Sequence, residues 1–257
     1  MSPKNPSPAN RLRAWERSAY GRFALEQEKK FLLQLTADWR RRHRSMLVLE
    51  CATGIIPEVF WEAGFDVSAT SASSQDLQTT RSRVGHRADL HLTSPEHMPF
   101  EDKAYDYVML ITVLNECTQP EAVLKEASRV CAKNLLISFV NKTSIFAFSL
   151  VCPGLNIQCP VPRRFWSWPS LLLLVHRVLG QRPVRTQGGI LPGPHLTWRP
   201  GPLGRFINSW LWPNSLGAYC ALTLDMTNEP VNTPLLAWVQ RPKPSAPCAH
   251  PSSISKD

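Results

Sequence analysis

The residues from 46 to 73 constrain the fold most strongly, because they pass from an apolar run through a short turn into a helical segment. Residues 46–49 are all apolar, residues 50–54 form the turn, and a helix-like segment ends at Gly64. A second apolar run at 65–70 follows at once. This order predicts strand, turn, helix and strand, the βαβ unit that opens a parallel sheet. The first turn of such a unit can hold a nucleotide-like ligand.

The rest of the chain repeats this alternation of strands and helices. Residues 77–84 are predicted as a short helix or loop and residues 120–130 as a helix. A later helix at 170–179 ends at Gly180, a residue type that is common at helix C-termini. Further strands are predicted at residues 88–92, 107–112, 134–140, 184–191 and 217–226. This pattern predicts an α/β fold, a Rossmann-like doubly wound sheet of seven mostly parallel strands with right-handed crossovers.

Length and composition favour a single domain at residues 11–242. The Pro- and Ser-rich ends at 1–10 and 243–257 are expected to be disordered tails. Within the domain we predict an N-terminal helical cap at 11–45, a cofactor-binding core at 46–140 and a C-terminal part at 141–242.

The C-terminal part contains an insertion at residues 192–216 that is rich in Pro, Gly and aromatic residues. Its side chains include Trp198, Phe206, Trp210 and Trp212, which are too apolar for a solvated linker. We expect them to pack on the edge of the sheet, to cover the substrate pocket or to touch a membrane surface.

The net charge of +9 is distributed unevenly along the chain. Residues 1–45 carry +7, residues 46–140 carry −6 and residues 141–257 carry +8. The basic regions are either ordinary solvated surface or a basic lid over an anionic substrate. The run of basic residues at 40–44 has the same two interpretations, a solvated helix end or a phosphate contact.

The cysteines and the N-terminus indicate a reducing compartment. The seven cysteines form no CxxC pair, and the N-terminus has no apolar signal segment. We therefore expect reduced thiols, a cytoplasmic protein and no metal site such as structural zinc. The longest apolar stretch is interrupted by polar residues at 141–144, so no membrane-spanning segment is predicted.

Three segments between residues 95 and 130 resemble a known protein family. Residues 95–108, 113–116 and 123–130 follow, in order, the pattern "AEhLPFeDnsFDyV…tvLeh…aLrEaaRV". This ordered set resembles class I S-adenosylmethionine-dependent methyltransferases of the UbiE-like (methyltransferase type 11) group. It covers about residues 20–140. The resemblance implies a Rossmann-like fold, S-adenosylmethionine as the cofactor and methyl transfer as the reaction.

The cofactor turn of this family has the form E-x-G-x-G-x-G, and the present chain keeps little of it. Alignment through Thr53 and Gly54 places Val48 on the acidic position, Glu50 on the first glycine and Ala52 on the second. An alternative alignment makes Glu50 the acidic residue, at the expense of a turn shorter by two residues. The motif is degenerate in either alignment.

The resemblance also assigns the other cofactor contacts. Ser71 takes the position of the acidic ribose partner at the end of the second strand, and residues 94–96 take the adenine position. The candidate cofactor-binding residues are therefore Glu50, Ala52, Gly54, Ser71, Ser94, Pro95, Glu96 and Thr112. The candidate catalytic residues are His97 and Glu116, whereas Asp106 is interpreted as a structural residue.

Two functions follow from this sequence. The first is methyl transfer to a small-molecule or lipid-like acceptor. An anionic acceptor and peripheral contact with a membrane are further hypotheses for this function. The alternative is a catalytically inactive methyltransferase-like scaffold or partner protein, because a fold does not fix a function. Nucleic acid is not expected as a partner, because the chain has no RNP, zinc or Asn/Asp-Pro-Pro-Tyr motif. The methyl acceptor and the oligomeric state are not specified by the sequence.

Overall fold

The structure is a computed structural model that describes residues 14–150, 161–191, 198, 201, 202, 206 and 217–227. Its centre is a seven-stranded sheet with the strand order β3-β2-β1-β4-β5-β7-β6. Strands β1 to β5 are parallel, and β7 is antiparallel to both of its neighbours. The strands are β1 Ser45–Leu49, β2 Asp66–Ser71, β3 Ala88–Leu92, β4 Tyr105–Ile111, β5 Cys131–Val140, β6 Val184–Ile190 and β7 Tyr219–Asp225.

Helices cover both faces of this sheet. They are α1 Ala19–Leu35, α2 Ile55–Glu62, α3 Ser74–Val84, α4 Val113–Glu116, α5 Pro120–Val130, α6 Ile145–Ser149 and α7 Trp168–Leu179. Alternate residues of β1 enter different cores, with Met46 and Val48 on one face and Leu47 and Leu49 on the other. All four are at most 1% exposed. Burial on both faces explains why this strand is an unbroken apolar run.

The predicted fold class is confirmed, including the number of strands and the mainly parallel arrangement. Residues 77–84, predicted as a short helix or a loop, belong to α3, which begins earlier, at Ser74, with the Ser73 hydroxyl as its N-cap. Strand β4 begins at Tyr105, earlier than predicted. The single-domain boundaries and the two tails stay predictions, and both tails lie outside the described residues.

The aromatic insertion is described at only a few positions. Trp198 is buried and contacts the ring of Phe146 with a centroid distance of 4.9 Å, whereas Phe206 is exposed. Trp210 and Trp212 lie outside the described residues. For Trp198 the structure therefore agrees with the first two interpretations, packing and pocket cover.

Two segments of the family pattern contact each other through Arg129. Its guanidinium binds the Glu126 carboxylate at 2.7 and 2.9 Å and the Asp102 carboxylate at 2.6 Å. It also donates to the carbonyl oxygens of Met98 and Phe100. Arg129 thus ties the loop before β4 to α5, which explains physically why the two parts of the pattern occur together.

Asp106 has the structural role that the sequence indicated. Its carboxylate pairs with Arg44 at 3.1 Å and with Lys133 at 2.6 Å, and it accepts the backbone N–H of Ser45. The described cysteines Cys51, Cys117, Cys131 and Cys220 are free thiols. Within the described ranges, no helix has the length and apolar character needed to cross a bilayer.

Candidate functional site

The turn after β1 holds three residues in the left-handed backbone region. Glu50, Ala52 and Gly54 have φ angles of 53°, 42° and 77°. These are the positions that alignment through Thr53 and Gly54 places on the three family glycines. The backbone therefore keeps a glycine-like conformation although two of the glycines are replaced. A left-handed residue with a Cβ costs roughly 1–2 kcal/mol, so this turn stores strain at the edge of the sheet.

Gly54 shapes this turn by close packing. It precedes α2, and a Cβ added to it would lie 3.0 Å from the Cα of Thr80 in α3. The Thr80 hydroxyl donates to the Cys51 thiol at 3.2 Å. Burial raises the pKa of Cys51 to about 11, so this thiol is protonated near neutral pH and is not an activated nucleophile.

Glu50 directs its carboxylate to the end of β2. One oxygen accepts the Ser71 hydroxyl at 3.3 Å, and the other accepts the Ala72 backbone N–H at 3.2 Å. Burial raises the pKa of Glu50, these two hydrogen bonds oppose that shift, and the nearby carboxylates of Asp76 and Glu96 add to it. The acidic group at the end of β2 is thus supplied from β1.

A cavity of about 650 Å³ opens over this turn at the carboxyl edge of the sheet. This volume lies within the range of roughly 300–1,000 Å³ that is typical of small-molecule and cofactor sites. The sequence-predicted residues in its wall are Glu50, Ala52, Ser94, Pro95, Glu96, Thr112 and Glu116.

The other three predicted residues lie outside the cavity wall. Gly54 packs against α3 and Ser71 is fully buried next to Glu50. His97 is exposed, and the only hydrogen bonds described for it are made by its backbone, with Ser94 and Thr93. The structure therefore brings Glu116, and not His97, to the cavity.

The half of the cavity above β1, β2 and β3 is polar. Glu50 follows β1, Ala72 follows β2 and Asp76 lies in the first turn of α3. After β3, the Ser94 hydroxyl donates to the carboxylate of Glu96. Carboxylates and hydroxyls at three adjacent strand ends can hold the hydroxyls and the exocyclic amine of a nucleoside.

The half above β4, β5 and β7 is aromatic. Trp15 precedes α1, Phe146 lies in α6 and Trp198 lies between them, with the two indole centroids 6.2 Å apart. Tyr219, the first residue of β7, donates its hydroxyl to the Ser138 hydroxyl at 2.8 Å. These rings form an apolar pocket beside the polar half.

Glu28 of α1 is an acidic residue that lines this aromatic half. It lines the cavity, and among the described residues none donates a hydrogen bond to its carboxyl group. Burial raises its pKa to about 8. The charge of Glu28 also raises the pKa of Tyr219, so the two groups are close together.

Sequence reasoning missed Glu28, Trp15, Phe146 and Tyr219. Three of them come from parts of the chain outside residues 20–140, where the family pattern gives no alignment. For Glu28 a signal was present. It shares the buried face of α1 with Ala24, Phe31, Leu32 and Leu35, and an acidic residue on such an apolar face marks a group that faces a cavity or a partner.

The charge of the cavity wall is strongly negative. The described lining residues include one basic side chain, Arg163, which lies 3.8 Å from Glu116. They include six acidic side chains, Glu16, Glu28, Glu50, Asp76, Glu96 and Glu116.

The basic residues of the cap lie elsewhere. A second groove of about 400 Å³ runs between α1 and α3, on the outer side of the turn. The basic side chains in its wall are Arg17, Arg22, Lys29 and Arg83. The described part of the chain contains no cluster of three or more His, Cys, Asp or Glu residues suited to a metal ion.

Comparison with known proteins agrees with this architecture. Residues 47–138 match a family model described as a methyltransferase domain. Over 125 residues the chain is 35% identical to the uncharacterized protein YafS of Escherichia coli (strain K12). This match covers 42% of the chain and 52% of YafS, so it spans about half the length of that relative.

Solved structures show the same fold at low sequence identity. A methyltransferase of Thermotoga maritima, described as a possible histamine N-methyltransferase, superposes with a TM-score of 0.56 at 17% identity, covering 80% of this chain and 94% of its own. Magnesium protoporphyrin IX methyltransferase of Synechocystis PCC 6803 with bound SAM superposes with a TM-score of 0.58 at 10% sequence identity. The superposition covers 86% of this chain and 92% of that enzyme's chain. The [4+2]-cyclase SpnF superposes with a TM-score of 0.58 at 14% sequence identity, and the superposition covers 84% of each chain. The fold is thus confirmed.

Proposed function

We propose that this chain is an S-adenosylmethionine-dependent methyltransferase that modifies a small-molecule or lipid-like acceptor. The observation that carries the proposal is the left-handed turn of Glu50, Ala52 and Gly54, which opens onto a cavity of about 650 Å³. The methyltransferase family model at residues 47–138 supports the same reaction. Two structures of one relative, magnesium protoporphyrin IX methyltransferase, with bound SAM and with bound SAH, support S-adenosylmethionine as the cofactor.

The polar half of the cavity fits the nucleoside of this cofactor. The Glu50 carboxylate lies where the family places its ribose partner, at the end of β2, and its oxygens can accept from both ribose hydroxyls. Pro95 and Glu96 take the adenine position, and Thr112 lines the cavity after β4. When bound, the cofactor supplies a methyl group that is already activated on a sulfonium. The protein then has to orient the acceptor and to exclude water.

The proposal also covers the location of the protein, its contact with a membrane and the charge of the acceptor. A cytoplasmic location and reduced thiols are supported by the sequence. Peripheral contact with a membrane is supported by two apolar side chains of α6, Ile145 and Phe148, which are 49% and 72% exposed. The acidic wall of the cavity favours a neutral or cationic acceptor over the anionic one that the basic termini suggested.

Calorimetric titration with S-adenosylhomocysteine tests the proposal. Ala72 is exposed in the cavity wall between Glu50 and Asp76, so Ala72→Trp is expected to fill the nucleoside position and to abolish binding. Gln75→Trp places the same side chain on the exposed surface of α3, outside the cavity wall, and serves as the control. It should bind as the wild type does. No binding to the wild-type protein at millimolar ligand would contradict the proposal and favour the scaffold alternative.

A further inference from the structure

We propose that the acceptor is an amine that is cationic in solution, and that Glu28 binds its ammonium group and takes up one of its protons. This inference rests on the proposed methyl transfer and names the substrate class of the same site. Three observations carry it: the charge of the cavity wall, the rings around Glu28 and the position of Glu28 next to the polar half.

The charge of the wall selects against anions. Six carboxylates face the cavity, and the one basic group among its described lining residues, Arg163, is 3.8 Å from Glu116. An anionic acceptor would face repulsion from the cavity wall, whereas a cation is attracted by it.

The aromatic half of the cavity suits a ligand that has an apolar part and a positively charged end. Trp15, Phe146 and Trp198 supply ring faces and edges, and such faces attract cations in addition to apolar groups. The indole N–H of Trp198 is buried and has no hydrogen-bond partner among the described residues. This indole N–H can donate a hydrogen bond to an acceptor atom of a ligand in the cavity.

Glu28 is the residue of this half that can carry a proton. It projects from α1, the helix that packs against β6 and β7, and it lies close to Tyr219. The Tyr219 hydroxyl donates to Ser138, which also accepts the backbone N–H of Thr112 at 3.0 Å. The Tyr219 proton is therefore engaged, whereas no described residue donates a hydrogen bond to the Glu28 carboxyl.

The proton transfer balances without a further reactant. At pH 8, where about half of the Glu28 carboxyl groups are ionised, the ammonium R–NH3⁺ gives one proton to the Glu28 carboxylate, which leaves the neutral amine R–NH2 with a free lone pair and the neutral acid. Where Glu28 is already protonated, the ammonium releases this proton to water and the same neutral pair forms. Burial favours this neutral pair over the ion pair, because desolvation disfavours both charged forms. The raised pKa of Glu28, about 8, brings its basicity closer to that of an amine and to the pH at which the protein works. The amine nitrogen then faces the polar half, where the methyl donor is expected.

Titration with three indoles of the same shape tests this inference. Tryptamine is cationic, 3-ethylindole is neutral and indole-3-propionate is anionic, and each is titrated with and without saturating S-adenosylhomocysteine. We expect the wild type to bind tryptamine at least about tenfold more tightly than the propionate, because the acidic side chains of the wall repel the anion. Glu28→Gln should bind tryptamine about fivefold more weakly than the wild type, because an amide cannot take up the proton, and should bind 3-ethylindole within about twofold of the wild type.

Glu26→Gln is the matched control, because Glu26 lies on the exposed side of the same helix and outside the wall of this cavity. It should behave as the wild type. The inference is overturned if the propionate binds as well as tryptamine, if Glu28→Gln binds tryptamine as tightly as the wild type, or if none of the three binds at millimolar concentration. Failure of S-adenosylhomocysteine to bind would overturn the proposed methyl transfer instead, and the titrations without it would still decide the role of Glu28.

Discussion

The Glu50 carboxylate, at the end of β1, accepts a hydrogen bond from the Ser71 hydroxyl, at the end of β2, over 3.3 Å. Alignment of the sequence placed Ser71 on the ribose-binding position and left that position without an acid. The contact shows that the neighbouring strand supplies the carboxylate. We propose that Glu50 takes the ribose-binding role for which the sequence offers no acid at position 71.

Ala52 and Glu50 both take positions of family glycines in the left-handed turn, but their substitution by glycine should affect cofactor binding differently. Ala52→Gly should stabilise the protein by roughly 1 kcal/mol, because it removes a Cβ from a residue with φ of 42°, and it should leave cofactor affinity intact. Glu50→Gly should relieve similar strain but abolish binding of S-adenosylhomocysteine, since the carboxylate is lost. Urea unfolding and calorimetry on both variants check this. Equal binding by Glu50→Gly and the wild type would show that the carboxylate has no role.

Glu28 predicts a pH-dependent stability. Folding raises its pKa from 4.5 to about 8, so its contribution to stability is complete below pH 4.5 and declines as the pH rises to about 8. The Glu28→Gln variant has no ionisable carboxyl at this position, so its stability does not decline in this way as the pH rises. Its stability relative to the wild type should therefore rise between pH 5 and pH 8.5 by roughly 2–4 kcal/mol. That is less than the value of about 5 kcal/mol for the full shift, because the side chain keeps contact with water in the cavity.

The control for this pH dependence is Glu26→Gln, measured by urea unfolding at the same two pH values. The other titratable groups that share the cavity wall, Glu16 and Tyr219 among them, are unchanged in both variants. Parallel curves for the wild type and Glu28→Gln would contradict the proposed burial of this carboxyl.

The Arg129 network predicts a coupling between stability and the site. Arg129→Lys should cost roughly 2 kcal/mol, because one ammonium cannot replace the bonds to Glu126, Asp102 and two carbonyls. The loop that Arg129 holds continues into Pro95 and Glu96, so affinity for S-adenosylhomocysteine should fall severalfold.

Arg177→Lys is the control for Arg129→Lys. Arg177 pairs with Glu121 at 3.2 Å, but both side chains are more than half exposed, at 65% and 59%. Such a pair contributes between 0 and about 1 kcal/mol. The two substitutions are chemically identical, so equal stability losses would argue against a special role of the Arg129 network.

The sequence predicted the sheet well because its signals are local. Apolar runs such as residues 46–49 define strands, and Gly180 and Ser73 mark helix ends. It predicted the acceptor half of the cavity poorly, because Glu28, Phe146 and Tyr219 meet only after three distant segments pack together. The orientation of Glu50 was likewise invisible, since a side chain that reaches a neighbouring strand leaves no periodic pattern.

The most direct test of the account is a binding cycle that pairs Glu50 with the ribose hydroxyls. S-Adenosylhomocysteine and its 2′,3′-dideoxy analogue are titrated into the wild type, Glu50→Gln and the control Glu62→Gln, whose side chain is exposed at the end of α2. We predict that Glu50→Gln weakens binding of S-adenosylhomocysteine about tenfold or more, as expected for hydrogen bonds to a carboxylate. Glu62→Gln should have no effect, and the dideoxy analogue should bind the wild type and Glu50→Gln equally. Equal weakening of both ligands by Glu50→Gln, or no binding of either ligand to the wild type, would contradict the assignment of this turn as the cofactor site.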